Sequence, residues 1–470
     1  IPLLRFLPMT SRVAGAAYLH EGFFVPIAHL IQFIAPDYFG NPATLNYWGA
    51  WNYGEMTGYI GVFALVLALC GVGKKTLIWV IPIVISLIFA VESPISKLPF
   101  VLHIPVLSIF QPTRLIAVIG FSLSVLAAYG ASKLFSLSKN RKILILAAVG
   151  LLFGIAWLSG SNPVTRRNLM FPTGIFSLTV IGITVSVFAN KRKWLQTGLL
   201  CLFLAISIVD LFRFGWKFTP FTNQAYFFPQ TSTVSFLGQQ IQPFRVMVLD
   251  DRALPPNVLT YYGIESVSGY DPIHSLRYEE FIAAMERGEP NIKPPFGFDR
   301  IMTPKNYTSP LFQLLGVKYV ITMTPIQHPK LKLMLQEGET IIYKNSDFSP
   351  RFYLADIILV KKTKQEIIDA LYSKEFNPAR TAVIETELPV INSPLSLTEE
   401  VSIASYAPNK ISLDVVAVND RLLVIANMFD PGWNVMIDGK KTELYRTNYS
   451  FFGIIVPKGE HKVDIIYSSL

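Results

Sequence analysis

The chain has 470 residues, 51% hydrophobic and 16% charged, with mean hydropathy +0.41 and a formal net charge of +9. Soluble domains carry roughly 25% charged residues, so this composition marks a membrane protein and excludes a soluble enzyme. Residues 1–214 hold 16 Lys/Arg against 5 Asp/Glu, whereas residues 215–470 hold 25 against 27. The basic surplus sits in the apolar half, where it signals membrane topology and not nucleic-acid binding; no nucleic-acid partner is expected.

Cys70 and Cys201 both lie in apolar runs, which excludes a disulfide framework. The six histidines are scattered singly, and no Cys-x-x-Cys or His-Glu-x-x-His occurs. No motif therefore supports a metal, and the cofactor stays unknown, a divalent cation included. The chain opens on Ile1 without Met and stops just after a strand-like run, so a fragment at both ends is expected.

Ile1–Gly22, with Pro2, Pro8 and two arginines, reads as loop. Phe23–Ala35 is apolar but far short of the roughly 20 residues a bilayer crossing needs, and Pro26, His29 and Gln32 interrupt it. It is expected to be an interfacial helix. Pro36–Gly61 is dense in Gly, Asn, Tyr and Trp and holds Asp37 and Glu55. Its prolines, glycines and turn residues forbid a lipid-facing helix, so it reads as a structured loop with Trp48, Trp51, Tyr53 and Tyr59 at headgroup depth.

Six runs follow as expected crossings: Gly58–Gly73, Thr76–Val91, Leu115–Ala131, Ile143–Ser159, Thr173–Ala189 and Trp194–Phe212. Lys74-Lys75, the set Lys133, Lys139, Arg141 and Lys142, and Lys191–Lys193 fall in alternate connections, which the positive-inside rule makes cytoplasmic. The loop at Pro36–Gly61, those at Glu92–Arg114 and Gly160–Pro172, and everything after Gly215 then face outward. Leu98–Phe110 is apolar, but with Pro94, Pro99, Pro105 and Pro112 in and around it the expectation is a re-entrant or interfacial segment.

After Gly215 the apolar runs shorten to strand length. Pro243–Asp251, Gly316–Thr322, Thr340–Asn345 and Phe352–Val360 read as strands, and Leu276–Arg287, Pro310–Leu315 and Lys364–Ser373 as helices. From Val401 five alternating runs separated by turns such as Asp438-Gly439 predict a small β-sandwich. The expected architecture is a polytopic α-helical membrane domain, an extracytoplasmic α/β region and a C-terminal β-sandwich. Its segments are 1–57 (outer-face loop and interfacial helix), 58–214 (membrane helices), 215–400 (α+β) and 401–470 (sandwich).

The loop PDYFGNPATLNYWGAWNYGE with TGYIG, the segment LPFVLHIPVLSIFQPTRLIAV, LLGVKYVIT and the closing PGWNVMIDGKKTELYRTNYSFFGIIVPKGEHKVDIIY resemble the YfhO family of bacterial membrane proteins over nearly the whole chain. The resemblance implies a protein similar to GT-C glycosyltransferases, which move a sugar from a polyprenyl-phosphate carrier to a cell-envelope polymer on the outer face of the bacterial cytoplasmic membrane. It also implies further helices before residue 1 and a membrane helix after residue 470, with the principal catalytic acid in a first outer loop that would precede Ile1.

Such a transfer needs a carboxylate to take the acceptor proton or hold a metal, a cation for the departing phosphate, and aromatic faces for the sugar. The outer loops offer Glu55 and Asp37 as carboxylates and Arg114 as phosphate clamp, weighed against a solvated loop acid, a turn cap and a snorkelling arginine. Asn46, Trp48, Tyr53 and Tyr59 are candidate sugar contacts, against a plain aromatic belt. In the outer domain, SGYDPIH (Ser268–His274) places Tyr270, Asp271 and His274 on a loop as a candidate acceptor-contact site. His103, His20 and His29 read as interfacial histidines, Trp433 as sandwich core and Arg446–Asn448 as a surface turn. The alternative to an enzyme is a membrane-anchored envelope scaffold or polysaccharide-binding or transport protein. Ion-coupled transport is disfavoured, because Asp210 is almost the sole ionisable residue inside the spans.

Overall fold

Residues 6–10, 22–104, 107–188, 192–218, 221–298, 301–389 and 392–468 are described by the structure, a computed structural model. They form two units: a membrane unit, Gly15–Thr222, and a sheet unit, Asn223–Leu470 together with Ile1–Ala14. His20 lies outside the described residues.

In the membrane unit the expected interfacial helix is a 3-10 helix, Ile27–Phe33. After the loop Pro36–Gly61 come α1 (Val62–Gly71), α2 (Leu77–Ala90), α3 (Pro94–Val101), α4 (Ile116–Lys133), α5 (Lys139–Ser159), α6 (Pro163–Phe188) and α7 (Lys193–Gly215). Four helices among the described residues are long and apolar enough to cross a membrane: α4 counted from Pro112, then α5, α6 and α7. Their outward side chains are apolar, with Leu144, Leu151, Leu158, Leu204 and Phe212 between 62% and 90% exposed, as lipid contact requires.

The first two of the six expected crossings differ. Helices α1 and α2 have 10 and 14 residues and meet at a bend of 115°, a broken span or a re-entrant element. Counted together they bring the total to five at most. Residues Gly73–Thr76 interrupt the helical ladder, so hydrophobic length in the sequence overstates continuous helix. Helix α1 runs alongside α4 in the same direction: Gly58 lies against Ile116, and Gly71 against Leu126 and Gly130. At the bend the basic residues act as caps. Lys133 Nζ donates to Gly71 O (3.4 Å), and Arg141 Nη2 to Val72 O (2.5 Å), satisfying carbonyls a helix end leaves open. The bundle closes on Val66, Ile119, Leu126, Val149 and Phe203, with Phe63 stacked on Phe203 at 4.0 Å. Leu98–Phe110 forms α3 and a 3-10 turn, Leu107–Ile109, as a proline-broken segment should; residues 105 and 106 fall outside the described set.

Among the described residues the sheet unit contains three larger sheets. The first has β1 (Arg245–Val248), β2 (Glu265–Ser266), β5 (Val317–Thr322), β6 (Leu331–Glu337) and β7 (Thr340–Asn345) in the order β2-β1-β5-β7-β6. Strand β1 pairs in parallel with β2 and β5, while β5, β7 and β6 are antiparallel. Two short strands, β3 (Gly269–Tyr270) and β4 (Ile301–Met302), pair separately. Helix α9 (Leu276–Arg287), after α8 (Ser232–Gly238), buries Phe281, Ile282 and Met285 in one cluster with Met247 and Val320. The expected helix at Pro310–Leu315 is a single turn, Leu311–Leu314. That at Lys364–Ser373 is α10 (Lys364–Leu371), begun by a capping box between Thr363 and Glu366.

The sandwich packs the order β8-β13-β17-β16-β10-β9 against β11-β12-β18-β14-β15. These are β8 (Phe352–Ala355), β9 (Ile357–Val360), β10 (Thr381–Ile384), β11 (Glu400–Ala407), β12 (Lys410–Ala417), β13 (Arg421–Met428), β14 (Trp433–Ile437), β15 (Lys440–Thr442), β16 (Tyr445–Thr447), β17 (Phe451–Val456) and β18 (Gly459–Tyr467). Alternate residues meet between the layers, Leu423, Ile425, Phe452 and Ile454 facing Ile411, Leu413, Val463 and Ile465. Strands β8–β10 come from before residue 400, so the sandwich draws on both sides of that position. The expected single strand Phe352–Val360 breaks at Asp356, whose buried carboxylate pairs with Arg380, and its halves lie at opposite edges of one sheet.

Candidate functional site

The loop Pro36–Gly61 folds around Asp37. Its side chain is 7% exposed, and its oxygens accept from Tyr53 OH (2.7 Å), Asn41 Nδ2 (2.7 Å) and Lys217 Nζ (2.5 Å). Asn168 Nδ2 on α6 holds the Asp37 carbonyl at 2.8 Å. The carboxylate is therefore oriented by three donors, one of them a cation. Burial and the adjacent Asp37 charge push the Tyr53 hydroxyl pKa far up, so it stays a donor.

The remaining candidates of the membrane unit divide by whether they keep an open face. Glu55 and Arg114 meet, with Arg114 Nε 3.9 Å from Glu55 Oε1, while Thr113 Oγ1 donates to Glu55 Oε2 at 3.0 Å. At this distance, and with the Arg114 side chain 54% exposed, the pair is loose and open to solvent. Trp48 is 48% exposed, edge-on to Phe39. Asn46 is exposed, but its oxygen is engaged by Asn41 N (2.9 Å) and Thr44 Oγ1 (2.8 Å), which brace the loop. Tyr53 and Tyr59 are buried, so neither ring offers a face for stacking.

Tyr59 instead donates to Asp210 of α7, 2.7 and 2.6 Å from its two oxygens, and Val62 N at the start of α1 donates to the same carboxylate at 3.2 Å. Asp210 thus closes the N-terminus of α1, where Gly61 (φ +94°) has no side chain to do so. Asp210→Ala is expected to cost about 3 kcal/mol, because two buried donors lose a charged acceptor. Thermal unfolding of the detergent-solubilised chain measures this; an unchanged midpoint would contradict the capping role.

His29 is a structural residue. Its Nδ1 meets Gln32 Oε1 at 2.8 Å, and its Nε2 accepts from Ala50 N at 3.2 Å, which assigns the proton to Nδ1. Burial holds its pKa below the ordinary 6.5. His103 is exposed and touches only the Val101 carbonyl among the described contacts.

An apolar cavity of about 750 Å³ opens beside this loop, lined by Ile31, Tyr38, Phe39, Trp48, Ile83 and Leu123 among others. Tyr38 OH and Ser159 Oγ, 2.8 Å apart, supply polar groups on its wall. Tyr38 and Phe39 follow Asp37 directly, so one short stretch lines the cavity and holds the buried carboxylate.

Among the described residues, no group of three or more His, Cys, Asp or Glu side chains could hold a metal ion. At Asp37 the ammonium of Lys217 already sits where a cation would bind. A lone carboxylate already paired with an ammonium does not fit a metal ion.

In the sheet unit, Tyr270 and Asp271 stand at the end of β3. Asn257 brackets the Tyr270 backbone through two hydrogen bonds, and the Asp271 carboxylate accepts from Ile273 N at 2.9 Å. Both are exposed. Trp433 is half-buried and packs on Tyr467 (5.0 Å) at the margin of the sandwich core, and Arg446 stacks over Phe429 at 4.1 Å; Arg446 and Thr447 lie in β16, and Thr447 and Asn448 are buried, so this stretch is not the surface turn expected. Lys217 and Asn168, both missing from the sequence reading, complete the Asp37 cluster. Nothing local marked them, since Lys217 lies 180 residues from its partner.

A family model described as bacterial membrane protein YfhO matches residues 29–372 and 395–469. A protein of Bacillus subtilis (strain 168), described as "Uncharacterized protein YfhO", is 20% identical over 98 residues. That stretch covers 21% of this chain and spans 10% of the length of the relative. No solved structure matches.

Proposed function

Because this chain belongs to the YfhO family of bacterial membrane proteins, we propose that it is part of a GT-C-type glycosyltransferase that moves a sugar from a polyprenyl-phosphate carrier to a cell-envelope polymer. The supporting observation is one loop that lines an apolar cavity with Tyr38, Phe39 and Trp48 while orienting the buried Asp37 carboxylate. An isoprenoid chain suits the cavity, since an apolar wall with few polar groups binds an apolar ligand.

In this reading the acceptor hydroxyl gives its proton to a carboxylate, Asp37 or Glu55, as its oxygen attacks the anomeric carbon. The bond from that carbon to the phosphate oxygen breaks, and the electron pair leaves with the polyprenyl phosphate. Lys217 and Arg114 supply positive charge to stabilise it. Trp48 offers a half-exposed ring to the sugar, and Asn46 an amide nitrogen without a partner among the described residues. Tyr53 and Tyr59 act as supports, through Asp37 and Asp210. The membrane is the bacterial cytoplasmic membrane, with the basic bend and the α4–α5 connection inside and the sheet unit outside, following the distribution of Lys and Arg.

Sugar transfer from polyprenyl-phosphate sugars, measured in membranes carrying the full-length gene product, tests this. Asp37→Asn or Glu55→Gln is expected to lower the rate about a hundredfold if that carboxylate is the base, and Arg114→Ala about tenfold. Full activity in both carboxylate variants would exclude Asp37 and Glu55 as the base. No transfer with any carrier would leave a non-catalytic envelope scaffold or polysaccharide-binding protein.

A further inference from the structure

A second cavity, of about 590 Å³, lies within the sheet unit where β1 and β2 begin. Its wall mixes apolar surface from Val267, Met302 and Met428 with polar groups of both senses. Arg245 and Glu265 line it, with Arg245 Nε 3.4 Å from Glu265 Oε2. Arg351 Nη1 donates to the same oxygen at 2.8 Å, and Tyr406 OH donates to the other. Asp271 and His274 also line it, and His274 Nε2 lies 3.0 Å from the buried Glu279. Ser268 Oγ, on the same wall, is buried without a hydrogen-bond partner among the described residues.

The charges pair off: Arg245 and Arg351 share Glu265, Asp271 adds a carboxylate, and His274 faces Glu279. An ionic ligand would therefore meet its own sign as well as the opposite one. A ligand with many groups that both donate and accept, and with an apolar C–H face, meets complementary chemistry everywhere on this wall.

We propose that this cavity binds a neutral saccharide of about one to three hexose rings. The Arg245 guanidinium donates to ring hydroxyls, Glu265 and Asp271 accept from them, and the Met302–Met428 surface covers a sugar face, while His274, held between the Asp271 carbonyl (3.1 Å) and Glu279, fixes the loop. That the saccharide belongs to the acceptor polymer rests on the glycosyltransferase reading; the binding itself does not.

The test is saturation-transfer NMR on the full chain in lipid nanodiscs, with maltotriose and cellotriose as neutral probes and a hexuronate trisaccharide as the charged one. Thr260→Trp fills an exposed position on the cavity lining, and Asp271→Asn keeps the turn while removing the carboxylate. A neutral probe should bind the parent, and both variants should weaken it roughly tenfold or more with unchanged thermal unfolding. Absence of binding by both neutral probes, equal binding in both variants, or tighter binding of the charged probe each overturns the proposal. Saccharide binding by a protein that transfers no sugar would refute the transferase reading and support this one.

Discussion

Gly130→Val should leave almost no correctly assembled membrane unit. A Cβ on Gly130 would lie 1.8 Å from the Leu67 carbonyl oxygen, and one on Gly71 would lie 2.0 Å from the Leu126 carbonyl oxygen. Both obstacles are backbone, so no side-chain rotation relieves them, and α1 and α4 would have to separate along their contact. Small residues allow this approach in a membrane, where packing takes over the work that hydrophobic burial does in water. The expected cost is about 3 kcal/mol or more, the upper end for overpacking. Size-exclusion profile and thermal midpoint after detergent extraction report it. Gly154→Val on α5, where nothing lies within 4 Å, is the matched control and should behave as the parent. Parent-like behaviour of Gly130→Val would refute the close α1–α4 contact.

Arg421→Ala should destabilise the sandwich by about 3–5 kcal/mol, because it strands a buried carboxylate. Arg421 and Glu399 are each 1% exposed at the side chain and form two parallel hydrogen bonds, Nε to Oε1 at 2.7 Å and Nη2 to Oε2 at 2.8 Å. The remaining guanidinium donors reach Ser393 O (2.6 Å) and Pro394 O (2.9 Å), so one arginine pins the segment before β11 to the start of β13. The bidentate bond to Arg421 draws the Glu399 pKa from 4.5 down to about 2. A carboxylate with a depressed folded pKa stabilises above its unfolded value and loses that contribution as pH falls through the folded one. The pair should therefore contribute fully above pH 4.5, and about 3 kcal/mol should disappear between pH 4.5 and pH 2. Urea unfolding followed by tryptophan fluorescence at pH 6 and pH 3 checks both. Replacing the pair together by Arg421→Met and Glu399→Leu should cost far less than Arg421→Ala and flatten this part of the pH dependence.

Part of the candidate site was legible from local chemistry. Glu55 and Arg114 each flank an apolar run, which made both visible as charged residues at a span edge, while their meeting at 3.9 Å depends on how the helices pack. The loop around Asp37 was legible too, since glycine, proline and asparagine at that density exclude a lipid-facing helix. Tyr53 and Tyr59 were legible as aromatic residues near the interface but not as supports for buried carboxylates. Their roles depend on Asp37 and on Asp210, the latter 151 residues from Tyr59.

Composition and periodicity by themselves determined the membrane half, the strand-rich half and the basic connections. These follow from transfer of side chains between water and an apolar phase, which depends on residue type and local repeat alone. Tertiary structure decided the bend between α1 and α2, the break of Phe352–Val360 at Asp356, and the union of Asp37 with Lys217. Each depends on groups far apart in the chain: backbone carbonyls capped by Lys133 and Arg141, a buried carboxylate matched by Arg380, an acid matched by a lysine at the end of α7. A buried polar group must find a partner wherever the fold brings one, and sequence distance places no limit on where that partner lies.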